Sequence, residues 1–469
     1  MPGRNECQCR LFLVISGGTR VAFASREWSR ESDAPMTTTT RTRRAGVVVV
    51  LTGLAGLVGL AGLAGLDGLA MTGTAVAASV AAEQPQDRPA PQEIGNGTVS
   101  LDVFAQGAVL DLLTTAREGT SLELRHQRST DGGQTWGTVH VIATLDQPIS
   151  IATRGNEPQV VAHVEHVTVH WSTNGTSRHG AGPMVSAVSH DAGRSWATGP
   201  NPTNDAANVA QNFADMTADS DGVFYVAWIG SHDGPAGRGL GLARSTDFGE
   251  TWDHSQLVDM SSCACCWNKM VAPRAGAVRV LYRDHGVRDM ALASTDDAGQ
   301  HWSLDGAVGS FDWAFPGCPH VGGGLAVAED ADDGTEQLHA LVWTGHEDRH
   351  GLYWVRSDDD GGTWTEPRPM GGELARHADL GAAGRTVVAA WDEGRAIWVS
   401  VSRDLGDGWS EPRRLSADGF VASHPVVIRT HDAFRLFWTE RDETGRMHWT
   451  SRRLAGEQAA QATSGAAGQ

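Results

Sequence analysis

At 469 residues with a formal net charge of −19, this acidic chain has no basic face of the kind that nucleic-acid binding requires. Lys and Arg number 37 against 56 Asp and Glu, and their sparseness after the N-terminus argues against docking on an anionic membrane surface. Length alone allows two or three domains, although one continuous repeat can absorb most of it.

Taken in order, the chain begins with a segment that does not read as part of a fold. Arg41, Arg43 and Arg44 precede an apolar Val/Leu/Gly/Ala run over 45–66, and Ala75, Val76 and Ala77 then offer a small-residue cleavage site. Basic region, apolar core and small-residue exit are the order of a secretory signal. Met36 starts that signal better than Met1 does, so 1–35 reads as a mis-assigned upstream extension and 36–77 as the signal. The apolar run is also long enough to span a bilayer, which leaves an uncleaved anchor as the alternative to a secreted, extracellular protein. Residues 78–97, rich in Gln and Pro, read as a flexible leader, and 456–469 as a disordered tail. Of the six cysteines, Cys7 and Cys9 fall in the 1–35 extension; Cys263, Cys265, Cys266 and Cys318 remain.

Between 98 and 455, short strand-like runs are punctuated by one eight-residue pattern. Its first copy carries Ser129, Asp131, Gly133, Thr135 and Trp136. Further copies centre on Asp191, Asp247, Asp297, Asp359 and Asp404, each closed by a tryptophan (Trp196, Trp252, Trp302, Trp364, Trp409). The chemistry is that of a hairpin turn: an Asp bonding back to its own backbone, glycines free to take positive φ, and a Trp re-entering a strand. In the first unit, runs at 99–106, 108–115 and 121–127 lead into the pattern and 138–142 follows it. Four short strands with a tight turn between the third and fourth predict a β-propeller blade. Seven such units can be counted, the last without the pattern. Seven blades are therefore expected, with six plus an addition as the alternative. A closing blade of this kind is expected to lack a regular outer strand and to borrow one from the other terminus.

The repeated Ser-x-Asp-x-Gly-x-Thr-Trp pattern resembles the Asp-box (BNR) repeat of sialidases and related propellers. That resemblance implies an all-β propeller of the sialidase superfamily type over 98–455. It also implies that the boxes lie on the face away from substrate, with each Asp tying down turn amides and each Trp packing between blades. The six aspartates would then be scaffold. For activity, the family uses three arginines to hold a carboxylate, a Tyr nucleophile activated by a Glu, an Asp acid, and an Arg-Ile-Pro motif. No Arg-Ile-Pro occurs here, and the only tyrosines are Tyr225, Tyr282 and Tyr353. Arg154, Arg283, Arg288 and Arg441 could supply a clamp, since Arg grips carboxylates bidentately. Tyr282, Arg283, Asp284 and Arg288 form the candidate catalytic set, although strand neighbours such as Tyr282 and Arg283 point to opposite faces.

Aligning the units at the start of their inner strands places comparable residues side by side at one mouth of the channel: Glu157, Asp215, Cys266, His320, His377 and His424. Of these, Glu157, Asp215, His377 and His424 are the candidate ligand-binding residues. Loops after the second strands add Arg178 with His179, and His232 with Asp233. The sharpest local signal is Cys263, Cys265 and Cys266 followed downstream by Cys318, Pro319 and His320. This order resembles a subset of bacterial Asp-box propellers with a Cys-x-Cys-Cys loop and a Cys-Pro-His motif. Adjacent thiolates with imidazole suit copper or zinc as Cu(I) or Zn(II). A disulfide from Cys318 to one loop cysteine, stapling blades four and five, is the alternative.

Three functions fit these readings. One is an exported propeller whose mouth binds a small ligand or soft metal; another is an exo-α-sialidase-type glycoside hydrolase. The third is a non-enzymatic propeller that binds protein or glycan.

Overall fold

The computed structural model describes residues 97–145, 155–174, 181–203, 210–231, 237–329 and 334–455, together with two short paired strands, Ile15–Ser16 and Thr19–Arg20. The expected signal or anchor over 36–77, most of the leader, the tail, and Arg154, Arg178, His179, His232 and Asp233 lie outside the described residues. Contacts divide the chain into two units, Met1–Ala81 and Ala82–Gln469. Among the described residues, the first holds the short strand pair and the second the propeller.

Seven antiparallel sheets follow one another along the second unit, six of four strands and the last of three. In each, strands pair in sequence order, so the first strand lies innermost and the chain steps outward. The inner strands are Thr98–Gln106, Gln159–His163, Gln211–Ala218, Lys269–Arg274, Gly324–Glu329, Arg376–Ala383 and Val421–Arg429. Each touches the next, and the seventh touches the first, which closes the ring. Second strands such as Phe224–Ser231 and Ala277–Arg283 are buried almost end to end, because both of their faces are covered by neighbouring blades. The closing blade has three strands, Val421–Arg429, Ala433–Arg441 and Met447–Ala455, and no strand from the N-terminal side joins it among the described residues. Side chains make the closure instead. Arg435 Nε donates to Gly132 O at 2.7 Å, and Trp136 meets the rings of Phe437 and Trp449.

All six repeated turns join the third strand of a blade to its fourth, and all are built alike. The Ser or Thr hydroxyl donates to the Asp at 2.7–2.9 Å. The same hydroxyl accepts the Gly amide at 2.7–3.0 Å. The Asp accepts the amide four residues on at 2.7–2.9 Å. The residue after each Asp is left-handed, from φ 58° at Ala298 to 69° at Gly132. At four of the turns its carbonyl in turn accepts from the preceding blade: Thr168 to Phe248 O, Arg244 to Ala298 O and Arg356 to Leu405 O, besides Arg435 to Gly132 O. Trp196, Trp252 and Trp409 pack on His126, His170 and Trp354 of the blade before. Antiparallel pairing sets these turns at the opposite end of the blades from the start of the inner strands.

Candidate functional site

Three inner-strand aspartates link neighbouring blades at the channel. Asp102 accepts the Val160 amide at 2.8 Å, Asp215 the Met270 amide at 2.5 Å, and Asp379 the Val427 amide at 2.8 Å. These bonds fix the register. Glu157, Trp267 and His424 each stand three residues before an amide so held, and His377 stands two before Asp379. Ladder irregularities at Asn212/Asp215, Arg376/Asp379 and Ser423/Val426 accompany left-handed residues at Phe213, His377 and His424, with φ of 55°, 44° and 55°. Such bulges re-aim side chains at strand ends. Here they set a ring of residues toward the axis.

The result is a cavity of about 340 Å³ whose lining includes Asp102, Glu157, Asp215, Trp267, Lys269, His377, Asp379 and His424. Glu157, Asp215, His377 and His424 thus come together as the alignment of units places them. Cys266 does not join them: it is buried in an apolar cluster, and the next residue, Trp267, occupies the channel. The sequence alignment of blade four is out by one residue because it matches residue character where the backbone register decides. In blade five, His320 is exposed and does not line the cavity.

Trp267 is the centre of the mouth. Its ring lies 5.6 Å from His377 and 5.9 Å from His424, and those imidazoles stack on each other at 4.4 Å. A Cβ added to Gly155 or Gly322 would sit 2.0 or 2.2 Å from the indole, so two blades come close to its faces only because they carry glycine there. His377 Nδ1 bonds both Asp392 oxygens at 2.8 and 2.9 Å, which orients the imidazole. Chemistry toward the cavity therefore falls to Nε2.

Lys269 sits among three carboxyls, with Nζ 3.3 Å from Asp379. Burial works against its ammonium, yet Asp379, Asp215 and Asp102 hold it protonated well above the usual lysine range. Burial pushes Asp215 up to about 7 and Asp102 up to about 6 despite that ammonium. A carboxyl protonated near neutrality is able to act as a general acid. Lys269, Trp267, Asp102 and Asp379 are the residues that sequence reasoning missed. The readable signal was the pair Gly155 and Gly322, and an Asp recurring at one inner-strand position in blades one, three and six.

The candidate catalytic set lies elsewhere. Tyr282 and Asp284 line a second cavity of about 310 Å³ in blade four, with Asp259 and Asp289. Tyr282 Oη donates to Asp259 at 2.6 Å, and burial raises its phenol above the ordinary range, which opposes nucleophilic activation. Arg283 is buried and donates to the carbonyls of Val321 (3.2 Å), Trp343 (2.9 Å) and Arg288. Arg288 Nε donates to Phe315 O at 3.0 Å. Among the described residues no arginine lines either cavity; Arg154, next to the lining residue Gly155, lies outside them.

Among the described residues, Cys263, Cys265, Cys266 and Cys318 are all free thiols. Cys263 Sγ lies 3.5 Å from Cys265 Sγ and 3.6 Å from Cys266 Sγ. Cys265, Cys318 and His320 bring their ligating atoms within 4.8 Å of one another. The structure thus gathers the expected copper- or zinc-ligating residues into one corner beside the channel.

No known protein family and no curated protein matches the sequence. Solved structures do. A polysaccharide lyase described as an ulvan lyase superposes with a TM-score of 0.52 at 12% identity, covering 77% of this chain and 94% of its own; it is also known in complex with a sulfated glucuronate–rhamnose repeat. The polysaccharide lyase Uly1 gives a TM-score of 0.52 at 9% identity, over 78% of this chain and 91% of its own. A Trypanosoma rangeli sialidase bound to the inhibitor DANA reaches a TM-score of 0.45 at 11% identity, over 79% and 57%. At such identities the likeness to the lyases is one of fold. The chain is an all-β, seven-bladed β-propeller.

Proposed function

We propose that this propeller binds, and is equipped to process, a neutral carbohydrate at the channel mouth. One observation carries the reading: a half-buried tryptophan, Trp267, set in a cavity among carboxyls that act as hydrogen-bond partners. A pyranose offers an apolar face to stack on an indole and a rim of hydroxyls for carboxylates. Charge narrows the ligand class. Among the described residues the lining carries Asp102, Glu157, Asp215 and Asp379 against Lys269, so a sialic acid or uronate carboxylate would meet repulsion. Asp215, raised by burial, is the candidate acid, and His377, held by Asp392, the candidate base.

The six repeated turns support placing the chain among Asp-box propellers of the sialidase superfamily, and the 36–77 segment supports export, so the sugar would be extracellular. The test is product release from a panel of neutral and acidic polysaccharides. Release from a neutral glycan, lost in Asp215→Asn, is the expected result. Cleavage of sialosides or polyuronates, or a fully active Asp215→Asn, contradicts the reading.

A further inference from the structure

We propose that Cys263, Cys265 and Cys266, completed by Cys318 or His320, form a binding site for one soft d10 metal ion, Cu(I) or Zn(II). The site is independent of the sugar reading and stands if that reading fails.

Spacing is the first argument. Two sulfurs bonded to a tetrahedral ion at about 2.3 Å lie about 3.8 Å apart. Cys263 stands 3.5 and 3.6 Å from its two partners, near that edge length. A disulfide needs about 2.05 Å. Cys265 also belongs to the second group, within 4.8 Å of Cys318 and His320, so one residue joins the buried thiols to two further donors of suitable type. Sulfur and imidazole select Cu(I) and Zn(II) over hard cations.

Access is the second argument. The three loop thiols are 1%, 3% and 1% exposed, whereas Cys318 and His320 face solvent. An ion would enter past the exposed pair and be sealed from below by apolar neighbours of blades three and four, including Phe213, Ile229 and Tyr282. Thiols serving only as core packing would need no solvent-facing Cys and His beside them.

The frame is the third argument, and it gives Arg283 and Arg288 a role. The Arg283 carbonyl accepts the Cys263 amide at 2.8 Å, and its guanidinium reaches Val321 O, next to His320. Arg283 therefore ties the two ligand loops together. Arg288 holds Trp313 O through its amide at 2.7 Å and Phe315 O through Nε, just ahead of Cys318. Both carry positive charge next to a cluster that becomes anionic when its thiols ligate. They are positioning residues here.

The experiment uses the full chain with Cys7→Ser and Cys9→Ser, so that only propeller thiols report. The protein is purified without chelator under reducing, oxygen-free conditions, analysed for metal, and then titrated separately with Cu(I) and Zn(II) against chelators of known affinity. One ion per chain, with X-ray absorption placing sulfur at about 2.3 Å, is the expected result; chelator competition then shows which ion is preferred. Loss of an outer-shell partner already costs about 10- to 100-fold in metal affinity, so Cys265→Ser should weaken uptake by more than about 100-fold, and Cys318→Ala or His320→Ala, whichever removes a ligand, by at least about 10-fold. Both of the last two positions are exposed, so their variants fold even if Cys265→Ser does not. A folded protein that takes up neither ion would overturn the proposal. So would uptake unchanged in all three variants, or a Cys318 disulfide to the loop in the protein as isolated.

Discussion

The channel cavity and the thiol corner lie on either side of Trp267, and they are built on different principles. The cavity comes from equivalent positions on the inner strands of several blades, and its aspartates also hold the next blade's backbone. Its chemistry cannot be separated from ring closure. The corner comes from two loops of blades three to five, outside the strand ladder apart from one bridge between Ser262 and Asp284. The difference is between a site whose parts are all joints of the ring and a site that pairs three buried thiols with two exposed donors. Substitutions in the first should change stability and binding together; substitutions at the exposed Cys318 and His320 should change metal uptake alone.

The sharpest way to break that comparison is at Gly322. A valine there would drive its Cβ into the indole of Trp267, 2.2 Å away. Overpacking of this kind costs about 1–3 kcal/mol, so Gly322→Val should lower the thermal midpoint and abolish sugar binding together. A midpoint unchanged from wild type would show that the channel is not packed as described.

A smaller effect is expected from pH. Asp215 has a folded-state pKa of about 7 against an ordinary 3.8. The folded chain thus keeps a proton that the unfolded chain releases, and stability falls as pH rises from about 4 through about 7. Asp215→Asn still offers an oxygen to the Met270 amide but no longer titrates. Thermal midpoints from pH 4 to 8 should fall more steeply in wild type than in this variant, with the two converging at the acid end. Parallel profiles would contradict the assignment.

The smallest effect is expected at the far face. Asp247→Ala removes bonds to the Thr251 amide and hydroxyl at 2.8 and 2.6 Å. Such a loss costs about 1 kcal/mol, visible as a modest drop in denaturant midpoint with ligand affinity unchanged. Loss of sugar binding in this variant would mean that the repeated turns reach the mouth.

Much of the fold could be read from the chain because its turn chemistry repeats. Six copies of one hydrogen-bonded turn mark six of the seven blades, and the third-to-fourth-strand position sets the direction of each. The thiol corner was legible too, since Cys263, Cys265, Cys266 and Cys318 are the propeller's only cysteines. The channel was legible only in part. Glu157, His377 and His424 stand out as polar residues before inner strands, but Trp267 looks like one more core aromatic and Lys269 like the first residue of a strand. What places them in the channel is strand register, set by long-range bonds from Asp102, Asp215 and Asp379. Likewise Arg283 and Arg288 resemble a clamp in sequence, yet their guanidiniums are taken up by backbone carbonyls of Val321, Trp343 and Phe315.

Calorimetry of Trp267→Ala beside wild type, against matched neutral and uronate-containing oligosaccharides, tests the central claim most directly. Wild type should bind the neutral sugar and reject the acidic one, and loss of an aromatic anchor worth about 2 kcal/mol should weaken the neutral sugar roughly 30-fold. Preference for the acidic oligosaccharide, or equal affinity of Trp267→Ala and wild type for the neutral one, would contradict a sugar site at the channel mouth.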